Sequence, residues 1–174
     1  MNDIFENISN LYPDALTRID ILIKIFENAG YNKTTKSIVS TNDNQTAIIL
    51  RLYILSYIAQ AISEVEFQSS SDALALIVKI RPVFEAELSD DLDADTFSWV
   101  SRIFTKSLQD ISTRGSVLPE VNKFIADGIP LSVIAQYLYQ DGSRFDEILL
   151  RNNKKIRHPL FFNGTLEVLS QWRK

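Results

Sequence analysis

A helix that is apolar on almost every side persists only where other structure surrounds it, and residues 46–65 read as such a helix. Ile48, Ile49, Leu52, Tyr53, Leu55, Ile58, Ala59 and Ile62 fall on most of its faces, so neighbouring helices are expected to cover it nearly all round. The most apolar stretch, Ala47 to Ile62, is interrupted by Arg51, Ser56 and Gln60 and falls short of the about 20 residues a bilayer demands. It therefore reads as the buried centre of a helical bundle.

The flanking segments supply the neighbours. Between Pro13 and Ala29 the apolar residues Leu16, Ile19, Leu22, Ile23 and Phe26 follow a 3.6-residue period, with Pro13 near the first turn and Gly30 at the stop. Residues 32–44 are polar and aperiodic, which predicts a loop with a short extended piece at Ile38 and Val39. Ser69, Ser70, Ser71 and Asp72 offer caps for a further helix that places Leu74, Ile77, Phe84 and Leu88 on one stripe with Arg81 in line. Pro82 is expected to kink or split it. Asp95 is then expected to cap a helix carrying Phe97, Val100, Phe104, Leu108 and Ile111 on one face and ending at Gly115.

Composition excludes several classes of chemistry. The chain has 174 residues and 45% hydrophobic content, enough for an ordinary core, and it has no cysteine, hence no disulfide, thiolate metal site or Cys nucleophile. A net charge of -4 argues against broad nucleic-acid binding. The acidic start, Met1-Asn2-Asp3-Ile4-Phe5-Glu6, does not resemble a signal peptide. His158 is the single histidine, which rules out a two-His metal site within one chain and leaves any triad dependent on this residue alone. Asp91, Asp93 and Asp95 mimic the opening of a calcium loop, but Thr96 stands where Gly is needed and Arg102 where the bidentate Glu belongs; they read as an acidic inter-helix turn. The five glycines fall singly, so no phosphate loop can be drawn. Glu85 with Glu87, and Asp146 with Glu147, diverge on their helices and supply no acid and base pair. No enzyme activity, cofactor or metal is expected.

The last third has its own pattern. A brief strand at Val121 to Ile125 precedes a helix from Pro130 to Tyr139, and Asp141-Gly142-Ser143-Arg144 then forms a turn in which Asp141 and Ser143 can cap a second helix. That helix carries Asp146-Glu147-Ile148-Leu149 and ends at Arg151-Asn152. A loop with Ile156, Arg157, His158 and Pro159 leads to a closing strand around Gly164 and Leu166-Glu167-Val168-Leu169. From Arg144 to the end, seven cations face three anions, so this stretch is basic within an acidic chain. Tyr137 and Tyr139 project to different sides of the first helix, one suited to the interior and the other to a partner. The fold class is thus mainly α: a helical bundle domain over residues 1–115, then a small α+β module over 116–174, with the boundary near 116–120.

This order of residues resembles the C-terminal end of the DNA circularisation protein family of Mu-like contractile-tailed phages. Residues 72–119, with Thr113-Arg114-Gly115 before Leu118-Pro119, are similar to the helical region that precedes that end, whereas residues 1–68 match only as another helical stretch. The terminal pattern also resembles a LysM-like module, a fold that binds N-acetylglucosamine chains in peptidoglycan-binding relatives and serves protein contacts in virion proteins. Gln140 stands at a turn position where relatives usually carry Gly, and a counterpart of the family's larger N-terminal domain is not expected here, so the resemblance is carried over for the structural role alone. It implies a structural virion protein near the baseplate hub, tail tube and tape-measure protein, located in the virion tail after synthesis in the bacterial host cytoplasm. Those tail proteins, and further copies of the chain within the assembly, are the expected partners; membrane and nucleic acid are not. Tyr139, Asp141, Arg144, Arg151 and Arg157 are the expected contact residues, and a peptidoglycan-binding module is the alternative.

Overall fold

The computed structural model describes residues 2–39 and 45–170, with side chains from Asn7 onward, and adds a first helix to those expected from residue 13 on. The chain is mainly helical. It folds as two compact units, residues 1–67 with 72–116 and residues 68–71 with 117–174. The second unit thus includes Gln68 to Ser71, a short segment outside the expected 116–174 range.

In the first unit, α1 (Asn2–Leu11) and α2 (Ala15–Asn28) precede a short hairpin of β1 (Tyr31–Asn32) and β2 (Ser37–Ile38). Pro13 lies outside α2, and Asp14 caps it by accepting from Thr17 N at 2.7 Å. Gly30 adopts φ +111° where the chain leaves the helix. Ile19, Leu22, Ile23 and Phe26 are buried as expected, but Leu16 is exposed and Arg18 takes an interior place, its guanidinium paired with Glu64. The expected extended piece pairs at Ile38; residues 40–44 of the predicted loop lie outside the described residues.

Helix α3 (Gln45–Glu64) has 20 residues, so the length argument against a membrane span does not hold: it is long and apolar enough to cross one by composition. Its place in the fold is set by burial of Ile54, Leu55, Ile58, Ala61 and Ile62 and by an ion cluster at Arg51. Arg51 Nε donates to Glu87 Oε2 at 2.6 Å, and Nη2 donates to Asp90 Oδ2 at 2.8 Å. Arg51 is 3% exposed and Glu87 0%. The expectation that α3 is covered nearly all round is corrected on one side, where Ile49 and Tyr53 remain exposed.

Helix α4 (Ser70–Leu88) runs through Pro82 without being split. Its buried face is Ala73, Leu76, Ile80, Val83, Phe84, Ala86 and Glu87; Leu74, expected inside, is 62% exposed. Helix α5 (Ala94–Ser116) is capped by Asp93 in place of Asp95: Asp93 Oδ1 accepts from Asp95 N and Thr96 N, and Oδ2 from Thr96 Oγ1. Those bonds, led by the one from the Thr96 hydroxyl, hold the Asp93 carboxyl below its usual range. The buried stripe is Val100, Ser107, Ile111 and Gly115, with Phe97 exposed. Phe84 and Phe104 stack at 5.1 Å between ring centroids. Gly115 does not end the helix; a Cβ built there lies 2.6 Å from Ala73 Cβ, so the residue permits α4 and α5 to approach. Arg114 beside it donates to Val65 O at 2.5 Å and Ile62 O at 2.7 Å, satisfying carbonyls at the end of α3, and its guanidinium lies 4.9 Å from the Phe67 ring centroid.

The second unit pairs β3 (Val121–Ile129) antiparallel with β4 (Phe162–Leu169), and α6 (Leu131–Tyr139) and α7 (Phe145–Arg151) lie between them in sequence. The strand is longer than expected, and Gly128, at φ +64°, falls at the register shift between Asp127 and Ile129. Leu131, Ile134, Ala135, Ile148, Phe162, Leu166 and Val168 form its core.

Two measurements probe the first unit. Burial, only partly offset by Arg51, pushes the Glu87 carboxyl up, since its Oε1 has no partner among the described residues. A raised folded pKa means that this group's stabilising contribution is complete below the ordinary glutamate range and is lost as pH rises through the folded value. The urea midpoint of the native chain is expected to fall relative to that of Glu87→Gln as pH rises above the ordinary glutamate range, while Arg51→Ala costs about 3–5 kcal/mol at neutral pH. Gly115→Ala, which in an open helix would stabilise, is expected to destabilise by about 1–3 kcal/mol, and adding Ala73→Gly is expected to recover part of that loss in the same unfolding assay.

Candidate functional site

Of the expected contact residues, Tyr139, Asp141 and Arg144 lie at the turn between α6 and α7, Arg151 ends α7 and Arg157 lies in the loop before β4. Buried Leu131, Ala135 and Tyr139 share one stripe of α6, with Ile134 beside it. Tyr139 is 9% exposed, and its hydroxyl accepts from Leu169 N at 3.0 Å, joining the end of α6 to β4. Burial pushes its pKa up, against the opposing effects of the Leu169 bond and the Arg144 charge. Tyr137, on the opposite face, is 72% exposed and is the aromatic ring of α6 available at the surface. The selection of Tyr139 as a surface contact is corrected accordingly: of the two tyrosines it is the buried one.

Helix α6 stops at Gln140, whose φ of +59° is the left-handed conformation that a Gly would take without strain. Asp141 then accepts from Ser143 N at 2.9 Å and Ser143 Oγ at 2.6 Å, and these bonds, the side-chain one foremost, hold its carboxyl below the usual range. Its cap thus serves the single 3-10 turn Gly142–Arg144, not α7 as the sequence suggested. Arg144 is clamped by Glu147 through two bonds of 2.7 Å, and its guanidinium lies 4.2 Å from the Tyr139 ring centroid. It is thereby held between the interior ring and an acid of α7. Arg151 is half-buried and engaged. Arg157 is exposed in the loop before β4, and with Lys154 it has no partner among the described residues. Lys155 pairs with Glu167 at 3.1 Å. Of the basic residues read from the sequence, Arg144, Arg151 and Lys155 are engaged locally.

The functional residue without a clear sequence signal is Asn152. It is 2% exposed, its Nδ2 donates to Ile148 O at 2.8 Å and Glu167 O at 2.7 Å, and its Oδ1 accepts from Glu167 N at 2.9 Å. One amide thus closes α7 and also satisfies both backbone groups of a β4 residue. The Arg-Asn pair at a helix end is the visible hint, but its strand partner lies 15 residues further on. At the other strand, Ser71 Oγ accepts from Val121 N at 3.1 Å, while Ser170 Oγ accepts from Glu120 N at 3.0 Å.

His158 is exposed, and its Nδ1 accepts from Leu160 N at 3.3 Å, a bond within its own loop. Among the described residues no group of three or more His, Asp or Glu is placed to hold a metal. The exposed apolar side chains of the unit include Ile125, Val133, Tyr137, Leu150, Leu160 and Phe161. Val133 and Tyr137 are one turn apart on α6, and the Tyr137 ring lies 6.3 Å from that of Phe124 on β3. No family model, curated protein or solved structure matches the chain.

Asn152→Ala is expected to destabilise the module by about 2 kcal/mol, because the backbone groups at Glu167 lose their partners. Asn152→Asp keeps the shape but loses both donor bonds and is expected to behave similarly; amide hydrogen exchange at Glu167 reports the loss directly.

Proposed function

We propose that the chain is a structural component of a contractile phage tail or phage-derived injection machine. The first unit is its scaffold, and the second is a LysM-like adaptor that docks to hub, tube or tape-measure protein near the baseplate. The succession of strand, helix, turn, helix and paired strand is the arrangement that a LysM-like reading calls for. The observation that carries the docking role is the outer face of α6. Its inner face is filled by core, while Val133 and Tyr137 stand outward beside Phe124. An amphipathic ring on a rigid helix is a suitable anchor, since it contributes contact area with few rotatable bonds. Arg157 and Lys154 provide exposed positive charge for an acidic neighbour.

The test uses the full chain immobilised and challenged in turn with purified tail-tube, hub and tape-measure proteins from the same virion. Tyr137→Ala is expected to weaken binding to one of them by about tenfold or more, as for an anchoring aromatic, with the circular dichroism spectrum unchanged. Binding to none of the three, together with saturable binding of chito-oligosaccharides that Tyr137→Ala removes, would replace this reading with a peptidoglycan-binding module.

A further inference from the structure

Within the first unit, α3 and α5 leave a groove of about 630 Å³ between them, lined by Ile49, Leu52, Tyr53, Asp95, Trp99 and Arg102 among others. Its wall on α3 is the uncovered side of the most apolar helix, where Ile49 is 47% and Tyr53 39% exposed. On α5 the lining residues Asp95, Trp99 and Arg102 stand at i, i+4 and i+7, one stripe two turns long, which spans about 10 Å. Asp95 and Arg102 are both exposed, and neither side chain has a hydrogen-bond or ion-pair partner among the described residues. Beyond Arg102 the same helices line a second hollow of about 390 Å³ that includes Lys106 and Asp110; Asp110 is bonded to Arg114.

Within the first groove the charges stand apart, Asp95 at one end and Arg102 at the other with the Trp99 ring between. A second α5 laid antiparallel, with a two-fold axis at the level of Ser98 and Trp99, brings each Asp95 opposite the Arg102 of the other copy. Both ion pairs form at once, and Trp99, Tyr53 and Ile49 meet their own counterparts in the middle. A parallel arrangement would instead set like charges together. Such self-complementarity is what an isologous two-fold contact requires. We propose that this groove is the surface through which two copies of the chain associate. The inference is independent of the adaptor role assigned to the second unit.

Sedimentation equilibrium of the full chain tests it. The native protein is expected to show a concentration-dependent monomer–dimer equilibrium. Asp95→Arg sets cation against cation across the axis and Arg102→Asp sets anion against anion, so each variant alone is expected to dissociate about tenfold more readily, or further. An equimolar mixture of the two is expected to restore association, because every cation then faces an anion across the axis. Asp95→Asn and Arg102→Gln, which introduce no repulsion, are expected to give smaller losses, and circular dichroism verifies folding of all four. A native chain that stays monomeric throughout the concentration range overturns the proposal, including the case in which the groove takes a small ligand or a foreign peptide. So does a mixture that associates no better than its components.

Discussion

A guanidinium removed from water must be met by acceptors at fixed positions, and the first unit is arranged around that requirement. Arg51 on α3 holds Glu87 and Asp90 from the end of α4, and its Nη1 donates to the Ala29 carbonyl at 3.5 Å. One side chain thereby relates the middle of the chain to two helix ends that lie 22 and 36 residues away. The pairing is costly to dehydrate and loses most of its value when either partner is absent, so it favours one arrangement over others more than it raises total stability.

At its other end α3 is held by the same chemistry from a different direction. Arg114 reaches the carbonyls of Ile62 and Val65, where a cation also complements the helix dipole, and Asp110 accepts from its Nε at 3.1 Å. Gly115 permits the close approach at Ala73 beside it. An arginine at each end therefore positions the apolar helix, and α3 is left uncovered along Ile49 and Tyr53 without losing its place.

The helices are legible in the sequence because their apolar residues keep a 3.6-residue period, and α2 shows this best through Ile19, Leu22, Ile23 and Phe26. Faces are less legible where polar groups occupy the core. Arg51 reads as an interruption and Glu87 as one of two diverging acids, and their pairing has no local signal; the expected stripe on α4 passes through Leu74 whereas the buried one runs through Ala73, Leu76 and Ile80. The cap of α5 lies two residues from the expected one because Asp93 and Asp95 are equally good caps by type, and only the bonds to Thr96 separate them. In the second unit the ambiguity between Tyr137 and Tyr139 is resolved by extending the stripe from Leu131 and Ala135 by one more turn. No such extension reaches Asn152, since its role depends on a strand that returns only after a loop.

A two-stranded sheet has two open margins, each a row of amides and carbonyls ready to recruit a foreign strand and polymerise. Here Asn152 occupies both groups of Glu167 on one margin, and Ser71 occupies the amide of Val121 on the other. Strand addition is thus obstructed at Glu167 on one margin and at the first residue of β3 on the other.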